Sequence, residues 1–250
     1  MRPTAALIVM LGIYLGGCGA TSSGSVEPSP SVSASGSILG VSSTLRGLTE
    51  FPHRIQWEAT PSGPASGVSE VDFLIDDQLG WVEHNPPYFY ADDGNWLVTS
   101  FLEPGEHTFV TKAIGVDEQT AAESVSATVK AAPDPPANLT GGWSRTVGGD
   151  KPGLWHVTIN AIGWLFDDPN GGGQNQDAEY PAAGKVEIHG AIIEPPYPNY
   201  DRGGAFCGDP FDPDGIFSYS VSDDGSELTL TADAPVCYQD LIEGSWARDP

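Results

Sequence analysis

GGWSR (Gly141–Arg145) and GSWAR (Gly244–Arg248) share the pattern GxWxR at the two ends of the C-terminal half, and the fold of that half turns on this echo. A closed barrel has no free edges, so its first and last strands must pair, which sets the two motifs side by side. A Trp face and a neighbouring Arg can then stack as a cation–π pair. Trp143, Arg145, Trp246 and Arg248 are accordingly expected to close a barrel. The intervening sequence alternates with period two: Trp155, Val157 and Ile159; Val186 and Ile188; Phe217, Tyr219 and Val221; Leu228 and Leu230. Asp224–Gly225, between the last two runs, is a hairpin signal.

These motifs resemble those of lipocalin-like (calycin) barrels, which carry GxW on the first strand and an Arg on the last strand that packs across the Trp. The run FSYSVSDDGSELTLTADAPVC (Phe217–Cys237), followed by GSW, is similar to small exported bacterial proteins with such domains. The resemblance implies an antiparallel barrel over residues 139–250, with a second sandwich as the alternative. An eight-stranded barrel can hold one small apolar molecule, and Trp155, Trp164, Phe217 and Tyr219 are the candidate lining. The competing expectation is an interior filled by the protein's own side chains.

The N-terminal half also alternates: Ile55, Trp57 and Ala59; Val71, Phe73 and Ile75; His107, Phe109 and Thr111; Val125, Ala127 and Val129. Short strands separated by Gly, Pro and Asp clusters point to an antiparallel sandwich over residues 41–130. VDFLIDD (Val71–Asp77), PPY (Pro86–Tyr88) and LEPGEHTF (Leu102–Phe109) resemble bacterial Ig-like domains with a VxFxIDG turn, a PY and an LxPGxHT. Asp77 stands where Gly is usual, so a different turn is expected. The resemblance implies a spacer or adhesion module. Trp81, Tyr88, Phe89, Tyr90 and Trp96 read either as packing or as a sugar-stacking surface, and His107, with no companion ligand, as structural. The fold class is therefore all-β: an Ig-like antiparallel sandwich, then a small lipocalin-like antiparallel barrel. The Pro-rich residues 131–138 separate the two and are expected to project the barrel outward.

At the N-terminus an apolar run from Ala5 ends in LGGC, and Leu15–Cys18 resembles the lipobox of bacterial lipoproteins. The resemblance implies cleavage of residues 1–17 and lipidation of Cys18; ordinary cleavage after Ala20 is the alternative. Two or more acyl chains give stable anchoring. Residues 18–40, rich in Ser, Gly and Pro, form a tether with a reach of roughly 25 Å. The chain is thus expected to sit outside the cytoplasmic membrane, anchored by lipid. With Cys18 assigned, Cys207 and Cys237 form an even pair in an exported chain, and a disulfide between them follows.

The chain has 34 acidic and 10 basic residues, a net charge of -24, which argues against nucleic acid as a partner. No GxSxG, HExxH or Cys nucleophile occurs, so the chain reads as a noncatalytic binding protein rather than an enzyme. A small apolar ligand, a cell-envelope partner and, last, an envelope hydrolase are the functions that stand. No cofactor is implied except calcium: DPNGGGQNQDAE (Asp168–Glu179) places Asp168, Asn170 and Glu179 at ligand positions, although Pro169 and the gap at position 5 depart from the motif. Asp209, Asp212 and Asp214 offer a second oxygen cluster, and both stretches read equally as solvated acidic loops.

Overall fold

The computed structural model describes residues 40–91, 96–149, 152–171, 173–195, 215–235 and 239–250, and the statements below concern these. Ten strands build the first half: β1 (Gly40–Ser43), β2 (Glu50–Phe51), β3 (Arg54–Ile55), β4 (Glu58–Ser62), β5 (Val68–Ile75), β6 (Gln78–Glu83), β7 (Tyr88–Phe89), β8 (Leu97–Val98), β9 (Gly105–Gly115) and β10 (Thr120–Val129). They form a five-stranded sheet ordered β2-β10-β9-β5-β6, a three-stranded sheet β1-β4-β7 and the pair β3-β8. Alternation decides what faces inward. Val71, Phe73 and Ile75 on β5 and Phe109, Thr111 and Ala113 on β9 are buried, while the residues that alternate with them are not. The core centres on Trp57, which meets Phe73 and Phe109 edge-on at 5.0 and 5.7 Å and stacks on Tyr90 at 5.5 Å. Its indole N–H, cut off from water, donates to Thr111 Oγ1 at 2.9 Å, as burial of a polar handle requires.

This core absorbs most of the aromatic stretch that sequence left open. Trp81, Tyr88 and Tyr90 are buried in it, and only Phe89 and Trp96 are partly exposed, because alternate residues of β7 and its continuation point inward. A sugar-stacking row of all five residues is therefore ruled out. Asp76 and Asp77 form the two-residue loop between β5 and β6, with φ of 50° and 64°. Positive φ at both central positions is the requirement of a type I′ hairpin turn, so Asp at position 77 keeps the tight turn.

The second half is a closed eight-stranded antiparallel barrel in simple up-and-down order. Its strands are β11 (Gly141–Val147), β12 (Gly153–Ile159), β13 (Trp164–Asp167), β14 (Gly173–Glu179), β15 (Lys185–Ala191), β16 (Gly215–Val221), β17 (Glu227–Ala232) and β18 (Gly244–Arg248). The hairpin expected at Asp224–Gly225 joins β16 and β17. Asp224 organises it by accepting from Ser222 and Ser226, and these hydrogen bonds hold its carboxyl down at about 2. A short helix, α1 (Gln239–Ile242), adds Leu241 and Ile242 to the barrel core. Among the described residues no helix is long and apolar enough to cross a membrane.

The two halves touch, contrary to a barrel projected outward on residues 131–138. Ile193, just beyond β15, packs into the sandwich core, and its carbonyl accepts from the Tyr90 hydroxyl. Ser100 Oγ donates to the Ile162 carbonyl at 2.6 Å.

Candidate functional site

The barrel closes where the GxWxR echo places the closure. β11 pairs with β18 in antiparallel register, Trp143 opposite Arg248. The Arg248 guanidinium lies 4.1 Å from the Trp143 ring centroid, and that of Arg145 lies 5.5 Å from the Trp246 ring. The two motifs also serve each other's backbone. Arg145 donates to the carbonyl of Glu243, just before Gly244, and Arg248 donates to that of Thr140, just before Gly141, at 3.0 Å. Each glycine is needed there. A Cβ on Gly244 would sit 2.9 Å from Arg145 Nη1, one on Gly141 3.0 Å from Arg248 Nη1, and both residues have φ near +125°. Each indole N–H donates to a carbonyl four residues back, Trp143 to Leu139 at 2.7 Å and Trp246 to Ile242 at 2.9 Å.

Inside, the candidate lining residues are part of the packing. Trp155, Trp164 and Phe217 are buried, and Tyr219 packs partly buried against the same cluster. Trp164 and Phe166 stand 6.1 Å apart and Phe166 and Trp246 6.3 Å, so aromatic rings bridge the interior from β13 to β18. Trp164 Nε1 donates to Tyr180 at 2.9 Å, and burial pushes that phenol up to about 12.

The polar concentration lies outside the barrel wall, where β14 and β15 face the sandwich. Val186 and Ile188 point into the barrel, so Glu187 and His189 point out, and Glu179 pairs directly opposite Glu187. The register slips between Gln176 and Ala178, where β15 carries one extra residue around His189 and Gly190. Such a bulge re-aims a side chain. His189 is 6% exposed although it lies on the outer face, and buried Asp177 next to it is 1% exposed. The charged groups facing them include residues of the sandwich: Arg54 Nε lies 3.0 Å from Asp177 Oδ2, close enough for an ion pair but not aligned as a hydrogen bond, and His53 Nε2 lies 2.8 Å from Asp177 Oδ1. Burial, then the Arg54 charge with a smaller push from His53, outweigh Asp177 and hold the His189 imidazole at about 4.

Sequence reading connected only Glu179 to this cluster, through the calcium motif, and the structure separates it from the rest of that motif. Asp168 and Asn170 form a local turn, Asp168 Oδ1 accepting from Asn170 N at 2.7 Å. Residues Gly173–Glu179 are a strand, whose rise of about 3.3 Å per residue carries Glu179 to the far end of the hairpin. One loop cannot wrap an ion with these three residues. The overlooked signal was KVEIH (Lys185–His189), whose apolar positions fix an outward Glu–x–His pair. His107 is structural as expected, bonded to Asp76 Oδ2 at 2.6 Å and to the Glu103 carbonyl. Cys18, Cys207, Cys237, Asp209, Asp212 and Asp214 lie outside the described residues.

No protein-family model matches the chain, and no curated protein matches it. Among solved structures it is similar to the fibronectin(III)-like modules of CbhA from Clostridium thermocellum, at 23% identity and a TM-score of 0.29, over 36% of this chain and 46% of that one. It is also similar to the endo-beta-1,4-mannanase from Thermotoga petrophila, at 16% identity and a TM-score of 0.29, over 36% of this chain and 19% of that one. The chain thus spans less than half the length of either structure.

Proposed function

We propose that the protein is an exported, noncatalytic binding module, tethered to the bacterial envelope by lipid on Cys18, and that it engages its partner through outer surfaces rather than inside its barrel. The observation that carries this reading is the aromatic packing of the interior among the described residues: Trp143, Trp164, Phe166, Phe217 and Trp246 are all at most 1% exposed and belong to one packed cluster. Lipocalin-like barrels that capture ligands need an open cup of several hundred Å3. Here the closure device and the aromatic bridge support a lipocalin-like barrel used as a rigid scaffold. The Ig-like sandwich beneath it, at the end of the tether, fits a spacer or interaction role. A disulfide between Cys207 and Cys237 belongs to the same exported reading.

The test fractionates cells expressing the wild type and Cys18→Ala after labelling with a fatty acid, and titrates the soluble variant with an apolar fluorescent probe. The expected result is label and membrane association for the wild type alone, and no saturable probe binding. A labelled, membrane-bound Cys18→Ala protein would overturn the anchor; one saturable probe site would overturn the filled scaffold.

A further inference from the structure

We infer that Glu179, Glu187 and His189 form a binding site for a divalent transition-metal ion such as Zn2+, on the outer wall of the barrel where the sandwich covers it. One donor atom from each residue lies within 4.8 Å of those of the other two. His189 Nε2 stands 3.8 Å from Glu179 Oε2 and 3.9 Å from Glu187 Oε2. These gaps are too long for hydrogen bonds, but an ion between the three atoms would need only small side-chain shifts to reach bonds of about 2.0–2.2 Å.

The second, independent observation is that His189 Nε2 is buried and makes no hydrogen bond, on a side chain 8% exposed. A buried nitrogen without a partner is destabilising, and a bound cation removes that cost. The bulge on β15 aims this atom at the two carboxylates. Glu179 divides its oxygens: Oε1 faces Arg54 Nη1 at 3.8 Å, leaving Oε2 toward His189.

Charge fits a dication. Asp177, Glu179 and Glu187 set three carboxylates against the single guanidinium of Arg54, leaving two negative charges. The donor set selects the metal class. Imidazole nitrogen suits Zn2+ and its first-row neighbours, whereas Ca2+ prefers six to eight oxygen ligands, about twice what this face supplies. Three protein ligands also leave an open position on the ion, so an external carboxylate or imidazole could complete the shell. The site is distinct from the calcium motif, sharing only Glu179.

The test is calorimetric titration of the metal-stripped protein with Zn2+, Ca2+ and Mg2+, for the wild type, Glu187→Gln and His189→Gln, with circular dichroism to confirm folding. Glu187 is half-buried, and its amide isostere removes the charge at nearly the same volume. The expected result is one Zn2+ per chain, bound much more tightly than Ca2+ or Mg2+, and weakened at least about tenfold by Glu187→Gln and further by His189→Gln, since even outer-shell changes cost about 10–100-fold. Absence of stoichiometric Zn2+ binding, Zn2+ affinity unchanged in Glu187→Gln, or Ca2+ binding as tight as Zn2+ would each overturn the assignment. If His189→Gln fails to fold, Glu187→Gln and Glu179→Gln decide the matter alone.

Discussion

Asp76 and Asp77 hold the β5–β6 turn, and each makes a separate prediction. Asp77 sits at φ 64°, in the left-handed region that favours Gly. Left-handed backbone costs L-residues about 1–2 kcal/mol, less for Asp, so Asp77→Gly should raise stability by about 0.5–1 kcal/mol in urea unfolding. At Asp76 burial works to raise the carboxyl, but hydrogen bonds from Thr108 N–H and from His107 outweigh it and hold it below 3.8. His107 mirrors it: burial lowers the imidazole, and its bonds to Asp76 and the Glu103 carbonyl outweigh that and raise it above 6.5. The Asp contribution is present above 3.8 and lost as pH falls through the lowered folded value; the His contribution is present below 6.5 and lost as pH rises through the raised one. Wild type minus His107→Gln stability should therefore be greatest between about pH 4 and 6.5 and shrink on both sides, with an amplitude of about 0–1 kcal/mol because Asp76 is half-exposed and screened. A flat difference across pH 3–9, roughly, would exclude the pair as its source.

At the scale of elements, the closure of the barrel rests on a reciprocal exchange between β11 and β18. Gly244→Ala would drive a methyl into the Arg145 guanidinium, at 2.9 Å, and strain a residue at φ +123°. The expected loss is about 1–3 kcal/mol in denaturant midpoint, the scale of overpacking. Arg248→Met removes the stack on Trp143 and hydrogen bonds to Gly225, Thr140 and Asn138, and should cost at least as much. These pairings were legible in the sequence because barrel closure is a topological requirement that two short motifs can carry. The alternating strands were legible for a similar reason, since Val71, Phe73 and Ile75 or Val186 and Ile188 write their buried face directly. The Glu179–Glu187–His189 cluster was not. Arg54 and His53 reach Asp177 beside it from the other half of the chain, and His189 sits at a one-residue bulge; neither a distant neighbour nor a register slip leaves a periodic mark.

For the molecule as a whole, the contact between sandwich and barrel is the feature that composition concealed. A Pro-rich break suggests separation, yet Arg54 of the sandwich, itself partly buried, meets Asp177 of the barrel, which is nearly inaccessible to solvent. Arg54→Ala would leave buried Asp177 with His53 as its remaining partner, a loss of up to about 3–5 kcal/mol, and should lower the midpoint of the barrel's unfolding. Asp177→Asn with Arg54→Met should recover much of it, because removing both charges avoids the desolvation penalty. The charge of -24 acts at this same scale, repelling polyanions. The interior decides how such a surface works, since a filled barrel can only present and a hollow one can carry. Native mass spectrometry of the full-length protein purified gently from membranes addresses this directly. The expected spectrum shows the acylated polypeptide with no apolar small molecule bound, and a stoichiometric apolar small molecule retained equally by Cys18→Ala would contradict a filled barrel.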